Sequence, residues 1–154
     1  MNDVKKIASF TVDHNLLEAG IYVSRVDGDV TTYDLRTRKP NAGDYMDNVT
    51  MHTVEHMIAT YIRSSAIGER VIYFGPMGCR TGFYLLVRNA DNTQVLDILK
   101  DVLKKVIAHD GEVFGASAIE CGNYRELDLS LAKAECEKYL AVLCSRDMDF
   151  KYKG

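Results

Sequence analysis

Tryptophan is absent from this chain of 154 residues, proline occurs only twice, and no Ser/Gly-rich tract interrupts it. With so few breakers, no internal repeat and no low-complexity segment, nothing marks a domain boundary, and one globular domain over 1–154 is expected. At this length folding buries about 68–70% of the unfolded chain's surface, enough for a true core. Lysine and arginine never run together beyond pairs such as Lys5-Lys6 and Lys104-Lys105, and the formal charge is −3, so the footprint of a nucleic-acid binder is missing. Nowhere do the roughly 18 consecutive apolar residues of a membrane span occur, and "MNDVKKIASFTVDH" lacks the apolar stretch of a signal peptide. A soluble cytoplasmic protein is expected, with neither membrane nor nucleic acid as partner.

Cysteine is sparse as well. Of the four, Cys136 and Cys144 stand eight apart on an expected helix, which sets their α-carbons about 12 Å apart, too far for a disulfide. Both read as small core residues of a protein in a reducing compartment.

What is present is a clear alternation of periods. "GIYVSRVDGDVTTYDLR" carries β-branched and aromatic residues on both sides of Asp27-Gly28, a hairpin signal. From about Thr50 to Ser65 the pattern turns helical, with Asn48 or Thr50 available as N-cap. "RVIYFGPMGCRTGFYLLVR" reads as strand, turn, strand. "TQVLDILKDVLKKVIAH" places Val95, Ile98, Leu99, Val102 and Val106 on one stripe, closed by His109, where a cation suits the helix dipole. A short extended piece through "FGASAIECGN" precedes a last helix with Leu129, Ala132, Cys136, Tyr139, Leu140 and Leu143 inside. Hairpins with helices between and after them predict a two-layer α+β domain, an antiparallel β-sheet with helices packed on one face.

Within "NVTMHTVEHMIATYIRSS", Val54, Met57, Ile58, Tyr61 and Ile62 share one side of the helix, and His52 and His56 share the other, within roughly 40° of each other. Glu55 flanks the histidines. Two imidazoles four residues apart can reach one metal ion, and a carboxylate at the edge can handle protons. A solvated helix face would account for bare H-x-x-x-H; glutamate in the fourth place of H-x-x-E-H favours a metal. A catalytic site then needs a third protein ligand and an open position. Cys79 in "GPMGCRTGFY" and Cys121 in "IECGNY" are thiol candidates, and Glu120 and Glu126 are carboxylate candidates. Cys79, in a tight turn beside Arg80, also suits a reactive thiol. Packing as a small turn residue is the plainer reading for either cysteine.

Taken together, "SFTVDHN" (9–15), "YDLR" followed by "KPN" (33–41), "HTVEH" (52–56), "GPMGCRTGFYL" (75–85) and "ECGNY" (120–124) resemble the S-ribosylhomocysteine lyase (LuxS) family, in order and over most of the chain. Lys39, Gly75 and the stretch "VFGASAIE" depart from the family pattern without removing a reactive group. The resemblance implies a carbon–sulfur lyase that splits S-ribosylhomocysteine into homocysteine and 4,5-dihydroxy-2,3-pentanedione, the precursor of autoinducer-2. It implies a divalent metal, Fe²⁺ with Zn²⁺ or Co²⁺ able to substitute, on His52, His56 and Cys121. Cys79 and Glu55 would be the acid/base pair, and Ser9, His14 and Arg36 would contact the sugar. A homodimer with active sites at its interface is implied too. Two other readings share the metal: a peptidase with a glutamate third ligand and Glu55 activating water, and a structural module closed by Cys79 as fourth ligand.

Overall fold

The computed structural model describes residues 4–153. The expected hairpin pairs β1 (Gly20–Asp27) with β2 (Val30–Arg36), antiparallel from Asp27 opposite Val30 to Gly20 opposite Arg36, with a bulge between Val23 and Arg25. Gly28 takes φ +61° in the turn, a left-handed conformation that costs glycine no side-chain clash. β3 (Val71–Pro76) and β4 (Gly82–Arg88) form a second hairpin, and the sheet order is β1-β2-β4-β3, antiparallel throughout. Helix α1 (Asn48–Arg63) is inserted between the hairpins, and α2 (Asn92–Ala108) and α3 (Leu129–Ser145) follow β4.

Alternation on the strands sends Ile21, Tyr33, Leu35, Phe74, Phe83, Leu85 and Val87 to one face. There they meet Val54, Met57, Ile58 and Ile62 of α1, the α2 stripe, and Ala132, Cys136, Tyr139 and Leu143 of α3 in one core. This is the two-layer α+β arrangement expected, with four local differences, the first being that Cys144 is exposed while Cys136 is buried in the core. The α1 N-cap is Asp47, whose carboxylate accepts the Thr50 N–H at 2.7 Å, and not Asn48 or Thr50. On α2 Leu103 is fully buried while Ile98 is half-buried. The piece through 114–123 is a series of turns, because its two glycines and its small residues offer no alternating apolar face.

The opposite sheet face has no helix. Residues Asp34 and Arg36 on it are buried nonetheless, because the C-terminal segment folds across the β1 edge: the Val23 N–H donates to the Phe150 carbonyl (2.9 Å), and Tyr152 stacks on Tyr22 with centroids 5.1 Å apart. Farther along, Tyr73 is 51% exposed. No helix among the described residues is long and apolar enough to cross a membrane.

Candidate active site

Helix α1 starts firmly. The Thr50 backbone N–H holds the Asp47 carboxyl below its usual range, and a capped, amphipathic helix presents His52, Glu55 and His56 away from the core. The segment before α3 is then tied to α1 at two points. Thr53 Oγ1 accepts the Asp128 N–H at 2.8 Å, and His52 Nδ1 donates to the Glu126 carbonyl at 2.9 Å. Turns at Ser117, whose carbonyl accepts from Glu120 N (3.1 Å) and Cys121 N (3.0 Å), deliver Cys121 beside His52. The result is a Sγ–Nε2 separation of 3.3 Å.

His52, His56 and Cys121 offer ligand atoms that all lie within 4.8 Å of one another. Both Nδ1 atoms face backbone carbonyls, of Glu126 and of Phe114 at 2.7 Å. Carbonyls only accept, so each Nδ1 carries the hydrogen and each Nε2 keeps a lone pair for a metal. The Cys121 sulfur accepts the Asn123 N–H at 3.4 Å, a contact that suits a thiolate. For metal–nitrogen and metal–sulfur bonds of about 2.0–2.3 Å, tetrahedral ligands stand about 3.3–3.7 Å apart, which this cluster can meet with small side-chain movements. Two imidazoles and a thiolate fit a divalent transition metal and leave a coordination position open. Glu120 and Glu126 are not in the cluster: the Glu120 carboxylate accepts the Ser117 hydroxyl at 2.9 Å, and Glu126 contributes its carbonyl. Cys79 is not in it either, so the described residues provide three ligands and no fourth.

Glu55 lines a cleft of about 500 Å³ with His56, Ala59, Phe74 and Glu120. Cys79 lies elsewhere, in the β3–β4 turn on the helix-free side, in a cleft of about 400 Å³ that also contains Ser9, His14, Arg36 and Tyr84. The two clefts share no lining residue. The expected sugar contacts therefore gather around Cys79, whereas Cys79 and Glu55 are not brought together within one chain. The turn is tight: Arg80 takes φ +62° and its side chain goes to the Met46 carbonyl (3.3 Å) and over Tyr45. The cation beside the thiol is Arg36 instead, with Nη1 3.8 Å from Cys79 Sγ and 2.8 Å from Thr81 Oγ1.

Arg36 is held from behind. Its Nε and Nη2 donate to the two oxygens of Asp34 at 3.1 and 2.7 Å, and the Tyr152 hydroxyl donates to the same carboxylate at 2.7 Å. Burial opposes the Arg36 charge, but the bidentate partner more than offsets it and raises its pKa. Burial, then the Asp34 charge, raise the Tyr84 and Tyr152 phenols. His14 is steadied by a 2.9 Å contact from Nδ1 to the Val12 carbonyl. Asp34 was within reach of sequence reasoning, since residues two apart on a strand share a face; nothing local indicated Tyr152.

The sequence profile described as S-ribosylhomocysteinase (LuxS) matches residues 7–149. Among curated relatives, the chain is 42% identical over 156 aligned positions to a protein of Borreliella afzelii named S-ribosylhomocysteine lyase, covering 97% of this chain and 99% of that one. Proteins of the same name from Clostridium acetobutylicum and Finegoldia magna are 43% and 45% identical, each covering 91% of this chain and 92% of its own length. A profile over nearly the whole chain, relatives of matching length, and a His/His/Cys cluster assembled from distant segments agree, and the chain belongs to the LuxS family of S-ribosylhomocysteinases.

Proposed function

We propose that this protein, a single domain over 1–154, cleaves S-ribosylhomocysteine to homocysteine and 4,5-dihydroxy-2,3-pentanedione. The observation that carries the reading is the joint presence of a three-ligand cluster on His52, His56 and Cys121 and a separate thiol cleft holding Cys79, Arg36, His14 and Ser9. A thioether is expelled easily only when a carbonyl activates the neighbouring carbon, so the aldehyde of the open-chain sugar must first be moved along by two isomerisations before β-elimination. When bound, a divalent metal, Fe²⁺ by family, supplies Lewis acidity to the sugar oxygens. Each remaining task is a proton transfer. Cys79 removes carbon-bound protons, Arg36 faces it as a counter-cation, and Glu55 moves protons on the oxygens and in the final elimination. Ser9, His14 and Arg36 bind the sugar.

One chain keeps Cys79 and Glu55 in different clefts, and a homodimer resolves this. The helix-free sheet face carries Tyr73 exposed beside Thr32, Tyr84 and Leu86. Pairing such faces about a two-fold axis would bury apolar surface and bring the Cys79 cleft of one subunit to the metal side of the other. By family the protein is cytoplasmic, and its product feeds autoinducer-2 signalling and recycling in the activated methyl cycle.

Release of homocysteine thiol from S-ribosylhomocysteine tests the assignment. Cys79→Ala and Glu55→Gln should each slow it by about 10²–10⁴-fold, the usual contribution of a general acid or base, with metal content unchanged. Near-wild-type release by either variant removes the role given to that residue.

A further inference from the structure

His56 is gripped from behind by a loop held through its side chains. From Asp110 to Ala116, no backbone–backbone hydrogen bond is made among the described residues, yet this loop places the Phe114 carbonyl 2.7 Å from His56 Nδ1. Val113 packs against the core, and a group of aromatic side chains holds the Phe114 end of the loop. His109, the first residue after α2, has Nε2 2.8 Å from the Glu112 carbonyl and Nδ1 2.7 Å from the Tyr61 hydroxyl. The carbonyl only accepts, so Nε2 donates to it, and the Tyr61 hydroxyl and Nδ1 share the second hydrogen bond. His109 thus has both ring nitrogens engaged, one by the loop and one by α1.

The Phe114 ring is wedged edge-on against both partners, with centroids 4.7 Å from His109 and 5.1 Å from Tyr61. Tyr61 and His56 stand on the same helix five residues apart, so α1 carries both the ligand and the anchor of the loop that orients it. Gly115 completes the fit: φ is +71°, and a Cβ there would lie 3.1 Å from His56 Nδ1. Any side chain at 115 would press on the ligand ring.

We propose that Tyr61 and His109 are positioning residues for the metal: with Phe114 they clamp the 110–116 loop so that its carbonyl fixes the orientation and tautomer of His56, and Gly115 is the clearance that lets the loop come this near. The inference rests on the reading of His52, His56 and Cys121 as the metal site. A purely structural role would change the stability of the metal-free protein, whereas a positioning role changes metal affinity.

The test is the Zn²⁺ dissociation constant of the purified full chain, measured without substrate by competition with a chromophoric chelator. Tyr61→Phe keeps the ring and removes one hydroxyl. It should weaken Zn²⁺ about tenfold, the lower end of the about 10–100-fold effect of groups that orient metal ligands, while the melting temperature of the metal-free protein stays near wild type. Gly115→Ala, which leaves the Tyr61–His109 pair in place, should weaken it at least as much. Wild-type affinity in Tyr61→Phe overturns the clamp, provided Cys121→Ala loses zinc in the same assay. If Cys121→Ala also keeps its zinc, the metal site itself is wrong and the clamp falls with it.

Discussion

Cys121 Sγ and His52 Nε2 lie 3.3 Å apart although 69 positions of chain separate them. The loop bearing Cys121 is anchored to α1 through Thr53 Oγ1 and the His52 ring, and both anchors are side chains of the helix that carries two of the candidate ligands.

Removing the sulfur should therefore open the metal site without unfolding the chain. Cys121→Ala is expected to lose metal by more than the about 10–100-fold typical of changes one step behind a ligand, read by metal analysis after dialysis. A Cys121→Ala protein with full metal content would require another third ligand. Chelation of the wild type should abolish thiol release, and Fe²⁺, Zn²⁺ or Co²⁺ should restore it.

The division of Cys79 and Glu55 between two clefts makes a quantitative prediction for a two-fold assembly. Mixed and reassembled Cys79→Ala and Glu55→Gln subunits should recover about a quarter of wild-type activity, since half the dimers are then mixed and each has one intact site. No recovery after confirmed subunit exchange would place both groups in one chain's site.

Cys136 is pushed up to about 12 by burial, helped by Glu135 and Glu137. Below the unfolded thiol's value of 9.0 both states hold the proton and this residue adds no pH dependence. Between pH 9 and 12 the unfolded chain releases a proton that the folded chain retains, so stability falls as pH rises. Urea unfolding at pH 8 and 10 of wild type and Cys136→Ala checks this: the loss between the two pH values should be smaller in the variant. Cys136 should also resist alkylation at pH 8 until the protein unfolds.

Glu135 is 3% exposed and takes a bidentate pair from Arg38, at 3.1 and 2.6 Å. Glu135→Ala should destabilise by about 2–3 kcal/mol, somewhat below the range for breaking fully buried pairs because Arg38 is partly exposed and keeps Asp44 as a partner. The midpoint of urea unfolding reads it.

Much of this architecture is written in local pattern. Alternation around Asp27-Gly28, the strand–turn–strand pattern of "RVIYFGPMGCRTGFYLLVR" and the 3.6-residue stripes marked both hairpins and all three helices, and the spacing of His52 and His56 exposed two candidate metal ligands, because each signal depends only on neighbours in the chain. The choice among Cys79, Cys121, Glu120 and Glu126 was not local. It turns on how the 109–128 segment is threaded, through Thr53, His52 and His56, which no periodicity reports. The same holds for Glu135, a charge on an inner helix face whose partner Arg38 lies 97 residues away, and for His109, whose use is set by Tyr61 on another helix. Arg80 was the nearest cation to Cys79 in sequence, but its left-handed backbone turns the side chain away and Arg36 takes the place.

The most direct measurement of the whole account is made on one anaerobically purified sample: bound metal and the homocysteine thiol released from S-ribosylhomocysteine, counted together. The account predicts thiol release that rises in proportion to bound metal and vanishes on chelation. A fully metal-loaded protein that releases no thiol would contradict it.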